Sequence, residues 1–348
     1  MVDVEGTLAA PPGATAGARR HVEHKGLKDN ALGFVSSVVI GVASTAPGYS
    51  LAASLGFIAA VAGIGLQSPA ILLLAFIPMA MIAASYYWMN RAHPDCGTTF
   101  SWVTLGIGPW AGWLGGWAIV VADIIVMANL AQIAGKYTFL LFDWDSAANS
   151  TAAVTALGVG WIVVMTAICY IGIELSARTQ VVLLGFEIVT LAIFAVVALV
   201  KVASGDAAPT SIDPSISWLN PFEISSFSAL TGGILIAIFI YWGWDSAVTV
   251  NEETQDAHST PGRAAVTSTV LLLLIYVVVA VAAQAYVGVD ALVKNQDDVL
   301  SFLGKDVFGS PLDKILIIAV LTSASRASTS PIPRTRSRAT PGSGSGRR

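Results

Sequence analysis

Tyr241-Trp242-Gly243-Trp244-Asp245-Ser246-Ala247 ends an apolar run that starts at Leu230-Thr231-Gly232-Gly233-Ile234. It leads on to Asn251-Glu252-Glu253-Thr254 and Thr260-Pro261-Gly262-Arg263-Ala264. The run is apolar enough to enter a bilayer, yet it sets a glycine and a carboxylate among bulky aromatics. In hydrocarbon every backbone donor and acceptor needs a partner, so a break survives only where protein buries it or where it lines a polar cavity. A carboxylate in that setting is by default a functional group, because stranding it in lipid costs on the order of a few kcal/mol or more. Tyr241–Asp245 is therefore read as a discontinuity in a membrane helix.

The composition around this stretch agrees. Hydrophobic residues make up 55% of the 348-residue chain and charged residues 11%, with a mean hydropathy of +0.72. That excludes a soluble enzyme and points to an all-α integral membrane protein. The net charge of −4 averages two aqueous faces and decides nothing. Cys96 and Cys169 suggest neither a disulfide framework nor a metal site, and His21, His24, His93 and His258 lie far apart outside the spans. No cofactor and no nucleic-acid partner is expected.

Working outward, residues 1–28 read as a cytosolic tail without a cleavable signal. The membrane domain is placed at 29–321. Span 1 covers about 31–64 and is interrupted at Gly41-Val42-Ala43-Ser44-Thr45-Ala46-Pro47-Gly48, where proline removes a backbone donor and glycine permits unusual dihedrals. Spans 2 to 5 fall at about 68–89, 110–135, 152–173 and 180–203, and 204–227 reads as a long external loop. Span 6 is the opening stretch, span 7 covers about 264–288, and an eighth begins near Leu312. Residues 322–348 turn into Ser, Pro, Gly, Thr and Arg, a composition that does not cross a bilayer. A truncation or frameshift near Ser325 is the expectation. An inside N-terminus places seven basic residues in the cytosol against five outside, four of the seven before span 1, which sets the orientation.

Three acids fall inside spans: Asp123, Glu187 and Asp245. Asp123, with Asn129 and Gln132 farther along the helix, is read as bordering a cavity or gating it; the alternative is a helix-packing hydrogen bond. Glu187 sits roughly 10 Å into span 5 at about 1.5 Å per residue. By this reading no basic residue falls within a span, so Glu187 is read as a structural hydrogen-bonding group, with proton coupling as the alternative. Asp245 is expected to cap the backbone N–H groups of the second half-helix, with a place at the cavity or its gate as the alternative. Trp242 and Trp244 are read as either core aromatics or pocket walls.

At this point the chain resembles the amino acid–polyamine–organocation permeases. Three stretches carry the resemblance. The span 6 run with its paired-acid loop and proline-led span 7 is one. The approach to span 3, Thr98-Thr99-Phe100-Ser101-Trp102-Val103 and Gly108-Pro109-Trp110-Ala111-Gly112-Trp113, is the second. The interrupted span 1 is the third and the loosest. Together they cover about residues 28–321. The resemblance implies a leucine-transporter-like inverted-repeat fold with helices 1 and 6 broken at matching positions, here with an incomplete second repeat. It also implies that the substrate, an amino acid or related amine, meets the backbone of Ala43, Ser44, Thr45, Ala46, Pro47 and Gly48 in span 1. In span 6 it would meet Tyr241, Trp242, Gly243 and Trp244, with Trp242 or Tyr241 covering it. The family's usual Gly-Ser/Thr-Gly core in span 1 is replaced here. A span 5 lysine that some proton-coupled members carry is absent, and Glu187 lies in that helix.

The implied function is a secondary active transporter in the cytoplasmic membrane, proton-coupled or exchanging, that works by alternating access. The alternatives are a truncated fragment that does not transport and a seven-span receptor. An intramembrane enzyme is disfavoured, since no nucleophile–base pair or metal constellation lies within the spans.

Overall fold

The computed structural model describes residues 30–171 and 173–327, so the tail at 1–28 and the sequence beyond Ala327 lie outside the described residues. The helices are α1 (Phe34–Ser44), α2 (Pro47–Ala60), α3 (Ser68–Ala92), α4 (Thr98–Gly106), α5 (Pro109–Leu141), α6 (Asp145–Ala148) and α7 (Thr151–Ile171). They continue as α8 (Ile173–Ser204), α9 (Phe227–Tyr241), α10 (Ser246–Thr249), α11 (Thr260–Lys294), α12 (Val299–Phe308) and α13 (Asp313–Ala327). Among the described residues, 7 spans are long and apolar enough to cross a membrane. Proline opens several of them at the first turn, where its missing N–H costs nothing.

Span 1 (α1 and α2) is the centre of the bundle, with 78% of its apolar window buried, against 22% for α5 and 17% for α7. Around it α11 packs on α1, α2, α3 and α8, while α13 closes against α2, α5 and α8. One large apolar core runs through the bundle, with a small second cluster at Leu32, Ile40 and Val250. Tyr137, Tyr241, Tyr276 and Phe194 are its largest fully buried side chains.

Both expected breaks are present. Span 1 stops at Ser44 and restarts at Pro47, with Ala46 in the left-handed region at φ 48°. Span 6 stops at Tyr241 and restarts at Ser246, with Gly243 at φ 119°.

Three features differ from the sequence reading. The loop after span 2 contains α4, and Val299–Phe308 forms α12, both too short to register as spans. The segment 204–227 is docked: Thr210 Oγ1 donates to Val287 O at 2.6 Å and Ile212 N to Ala285 O at 2.9 Å. That docking meets a kink in α11 at Gly288, where φ is 75° and an added Cβ would lie 2.6 Å from Thr210 O. Finally, α13 continues past the boundary read at Leu321 to Ala327, with Ser323 and Ser325 buried.

Candidate functional site

The two breaks cross. A Cβ on Gly243 would lie 2.7 Å from Ser44 O and 3.0 Å from Thr45 N, so the span 6 backbone rests directly on the span 1 backbone. Any side chain at Gly243 would push the two apart. One turn earlier, Gly41 faces the Ser268 side chain and Trp244 O. The substrate-facing residues expected in span 1 are buried apart from Ser44, which is partly so.

Breaking a helix frees backbone groups that a buried setting must satisfy. Thr45 Oγ1 donates to Val42 O at 2.6 Å, and Ser50 Oγ donates to Thr45 O at 2.8 Å. Tyr276 OH, from α11, donates to Ile240 O at 2.6 Å. At the start of α2, Gly48 N donates to Glu187 Oε1 at 2.6 Å and Tyr49 N to Ser323 Oγ at 3.2 Å. A carboxylate at a helix N-terminus is favoured by the unpaired N–H groups and the helix dipole.

The expected capping role therefore falls on a different acid. Asp245 occupies the N-cap of α10 but its side chain makes no cap hydrogen bond. Its backbone there is already helical, at φ −61° and ψ −21°, whereas a capping side chain reaches back from an extended residue. Glu187, fully buried on α8, holds the broken end of span 1 instead. Sequence reasoning also missed Tyr276 and Ser323, a lone hydroxyl in an apolar run and a serine beyond the boundary read at Leu321.

A cavity of about 480 Å³ opens beside the span 6 break. Its walls come from α3, α5, α9 and the break, with Tyr86, Ala122, Phe239, Trp242, Trp244 and Asp245 among them. Trp242 thus faces the cavity. Tyr241 lies in the core, donating to Leu72 O at 3.1 Å and packed edge-on against Tyr276 at 5.1 Å. Asp123 stands exposed next to Ala122, within electrostatic reach of Asp245. Asn129 accepts from Tyr49 OH at 2.5 Å, which ties α5 to α2.

On the side of the bundle that holds the end of α3, the segment after the break is pinned. Asn251 Nδ2 donates to Asn90 Oδ1 at 2.8 Å, and Leu32 pairs with Thr254 in a parallel bridge. Asp95, Cys96 and Glu252 bring ligand-type atoms within 4.8 Å of one another there. Asp95 Oδ1 already accepts from Gly97 N and Ser101 Oγ, and Glu252 Oε1 from Cys96 N. That group reads as a hydrogen-bonded turn rather than a metal centre.

Residues 32–330 match the amino acid permease family. Uncharacterized transporters of Mycobacterium tuberculosis and Mycobacterium bovis are each 28% identical over 257 residues, which is 74% of this chain and 53% of theirs. The branched-chain amino acid permease BcaP of Lactococcus lactis subsp. cremoris is 24% identical over 223 residues, 60% of this chain and 46% of its own. The chain spans about half the length of the curated relatives it matches. Among solved structures, MhsT in complex with L-phenylalanine superposes with a TM-score of 0.60 at 17% identity, over 84% of this chain and 70% of that one. A likeness at that identity speaks for the fold, and the fold is the leucine-transporter-like one.

Proposed function

The chain belongs to the amino acid permease family, and from that premise we propose that its crossed breaks form the central site of a secondary transporter for amino acids or related amines. The observation that supports this most is the contact of Gly243 with Ser44 and Thr45. Two interrupted helices meet in the middle of the bundle, the arrangement in which backbone freed by such breaks can receive a small zwitterion. On this reading the backbone of Ala43–Gly48 and Tyr241–Trp244 receives the substrate's amine and carboxylate, and Trp242 forms a wall over it. Asp123, Asn129 and Asp245 border the path.

Glu187 is the proton-coupling residue of this proposal. Its carboxylate is buried against the broken end of span 1. A change in its charge would alter the grip on the Gly48 N–H and so the set of α2 against α8. Transport would run by alternating access across the cytoplasmic membrane, with the N-terminus inside.

The test is uptake of a radiolabelled amino acid mixture into proteoliposomes, with and without an inward proton gradient. Gradient-stimulated uptake is expected, and Glu187→Gln is expected to remove the stimulation while leaving exchange. Failure of the folded, inserted chain to take up any amino acid, alongside uptake by a longer relative, would favour a binding piece without a complete cycle. A reporter fused to the N-terminus and found outside would reverse the orientation.

A further inference from the structure

Of the two half-helices that restart after the breaks, α2 is the one able to hold an anion at its N-terminus. It runs for 14 residues, and the positive end of a half-helix at such a break is where anionic substrate groups are received. The other, α10, is 4 residues long and offers little of that field. Yet the first N–H groups of α2 are all engaged. Pro47 has none, and Gly48 N donates to Glu187 Oε1 at 2.6 Å. Tyr49 N donates to Ser323 Oγ at 3.2 Å and Ser50 N to Ala46 O at 2.8 Å.

Two side chains therefore stand where a substrate carboxylate would bind, and they differ in charge. Ser323 is a neutral hydroxyl. Glu187 is a fully buried carboxyl group, and its close approach depends on the backbone it meets. A Cβ on Gly48 would lie 2.9 Å from Glu187 Oε1, so a side chain there would crowd it out. One N–H group cannot serve two carboxylates, and like charges brought together in a buried setting disfavour the ionisation of one of them.

The other ionisable groups around α8 are placed differently. Among the elements packed on it, α1 and α7 carry no charged residue. Those of the rest stand near helix ends: Arg263, Asp290 and Lys294 on α11, Lys305 and Asp306 on α12, and Asp313, Lys314 and Arg326 on α13. On α8 itself Glu174, Arg178 and Lys201 lie toward the two ends. Tyr49 and Tyr276 are nearer the break, donating to Asn129 Oδ1 and Ile240 O.

We propose that Glu187 is a resident competitor for the substrate's carboxylate. It holds the α2 terminus in the absence of substrate, and it yields that place, taking a proton from water, when an amino acid binds. The inference rests on the permease reading and adds to it the step that links substrate to proton. An amino acid then binds more tightly as pH falls, whereas a ligand without a carboxylate leaves Glu187 in place.

The test is calorimetric binding to the purified chain in lipid nanodiscs, in two buffers of different ionisation enthalpy, so that the protons taken up are counted. The probes are L-leucine and L-phenylalanine, each against its carboxamide, below neutral pH where every probe's amine is protonated. Each amino acid is expected to bring about one proton with it and to bind up to ~10-fold tighter per unit fall in pH. The carboxamides should show no uptake. Glu187→Gln should bind the amino acids without uptake and with a flat pH profile. The acid–amide comparison needs no variant, so it decides the question even if Glu187→Gln does not fold. Amino acids binding without a proton, the result of displacing Ser323 alone, overturn the competition and leave the permease reading standing. Uptake that persists in Glu187→Gln, or that the carboxamides share, does the same. No binding of any probe by chain that still melts cooperatively overturns both.

Discussion

Glu187 accepts a hydrogen bond from Gly48 N across 139 residues of sequence, and this contact closes the end that the span 1 break leaves open. Two variants separate its structural part from its charge. Glu187→Gln keeps an oxygen acceptor in place, so its melting temperature in detergent should stay within a few degrees of wild type. Glu187→Ala removes the acceptor and should cost about 1–3 kcal/mol, the desolvation penalty of a buried N–H left unmet. Equal losses from both would show that the carboxylate charge, and not its acceptor geometry, holds the break. Gly243→Ala tests the crossing itself. Its φ of 119° and a Cβ set 2.7 Å from Ser44 O leave no relaxed position for a methyl group. The expected loss is about 1–3 kcal/mol, together with loss of substrate binding. A variant of wild-type stability and affinity would mean that the breaks are not held in register by this contact. Tyr276→Phe removes the hydroxyl on Ile240 O and should cost a similar amount without touching the cavity.

At the scale of elements, α12 begins with Asp298, whose side chain accepts from Ser301 N at 3.3 Å. The same carboxylate accepts from Tyr137 OH and lies 3.8 Å from Lys136 Nζ, so it joins α12 to α5. Burial pushes the Asp298 carboxyl above its ordinary value, and the Tyr137 hydrogen bond and Lys136 pull it part of the way back. A carboxyl raised on folding stabilises the fold below its unfolded pKa and loses that contribution as pH rises through the folded value. Asp298→Asn, which keeps an acceptor, should therefore flatten the pH dependence of the melting temperature over the carboxylate range. Asp298→Ala should cost about 1–2 kcal/mol at every pH through the lost cap. The elements also mark how far the sequence could be read. The breaks were legible because Pro47 and Gly243 have no other use inside an apolar run. The helices α4 and α12 were not, since short segments outside the bilayer carry no long apolar run to announce them. Asp245 was misread as a cap because a carboxylate after a glycine looks the same in sequence whether its backbone is extended or already helical. Glu187's partner was beyond reach, since nothing local in span 5 says that Gly48 lies opposite.

At the scale of the whole molecule, burial is uneven in a way that a water-soluble bundle would not tolerate. Span 1 is wrapped by its neighbours, while α5 and α7 leave most of their apolar surface bare. On α5 the bare face carries Trp110, Trp113 and Trp117 at successive turns, exposed by 80%, 52% and 56%, with the rings of Trp113 and Trp117 stacked at 6.2 Å. Aromatic residues near one end of a span suit the membrane–water boundary, where an apolar ring and a polar N–H are both accommodated. Trp102, Trp218 and Trp244 are by contrast nearly closed off. Lipids brominated near the headgroup quench only the tryptophans they can touch, so the two groups are separable in one experiment. Reconstituted in such lipids, the chain should lose much of its tryptophan fluorescence. Replacing Trp110, Trp113 and Trp117 with Phe should remove a large part of that quenchable fraction, the exposed Trp88 and Trp144 keeping the rest of it and the buried tryptophans staying unquenched. If the triple variant quenches as the wild type does, lipid does not reach this face and protein covers it. Asp123 lies on the same helix, and covering protein would then supply its surroundings in place of the bilayer.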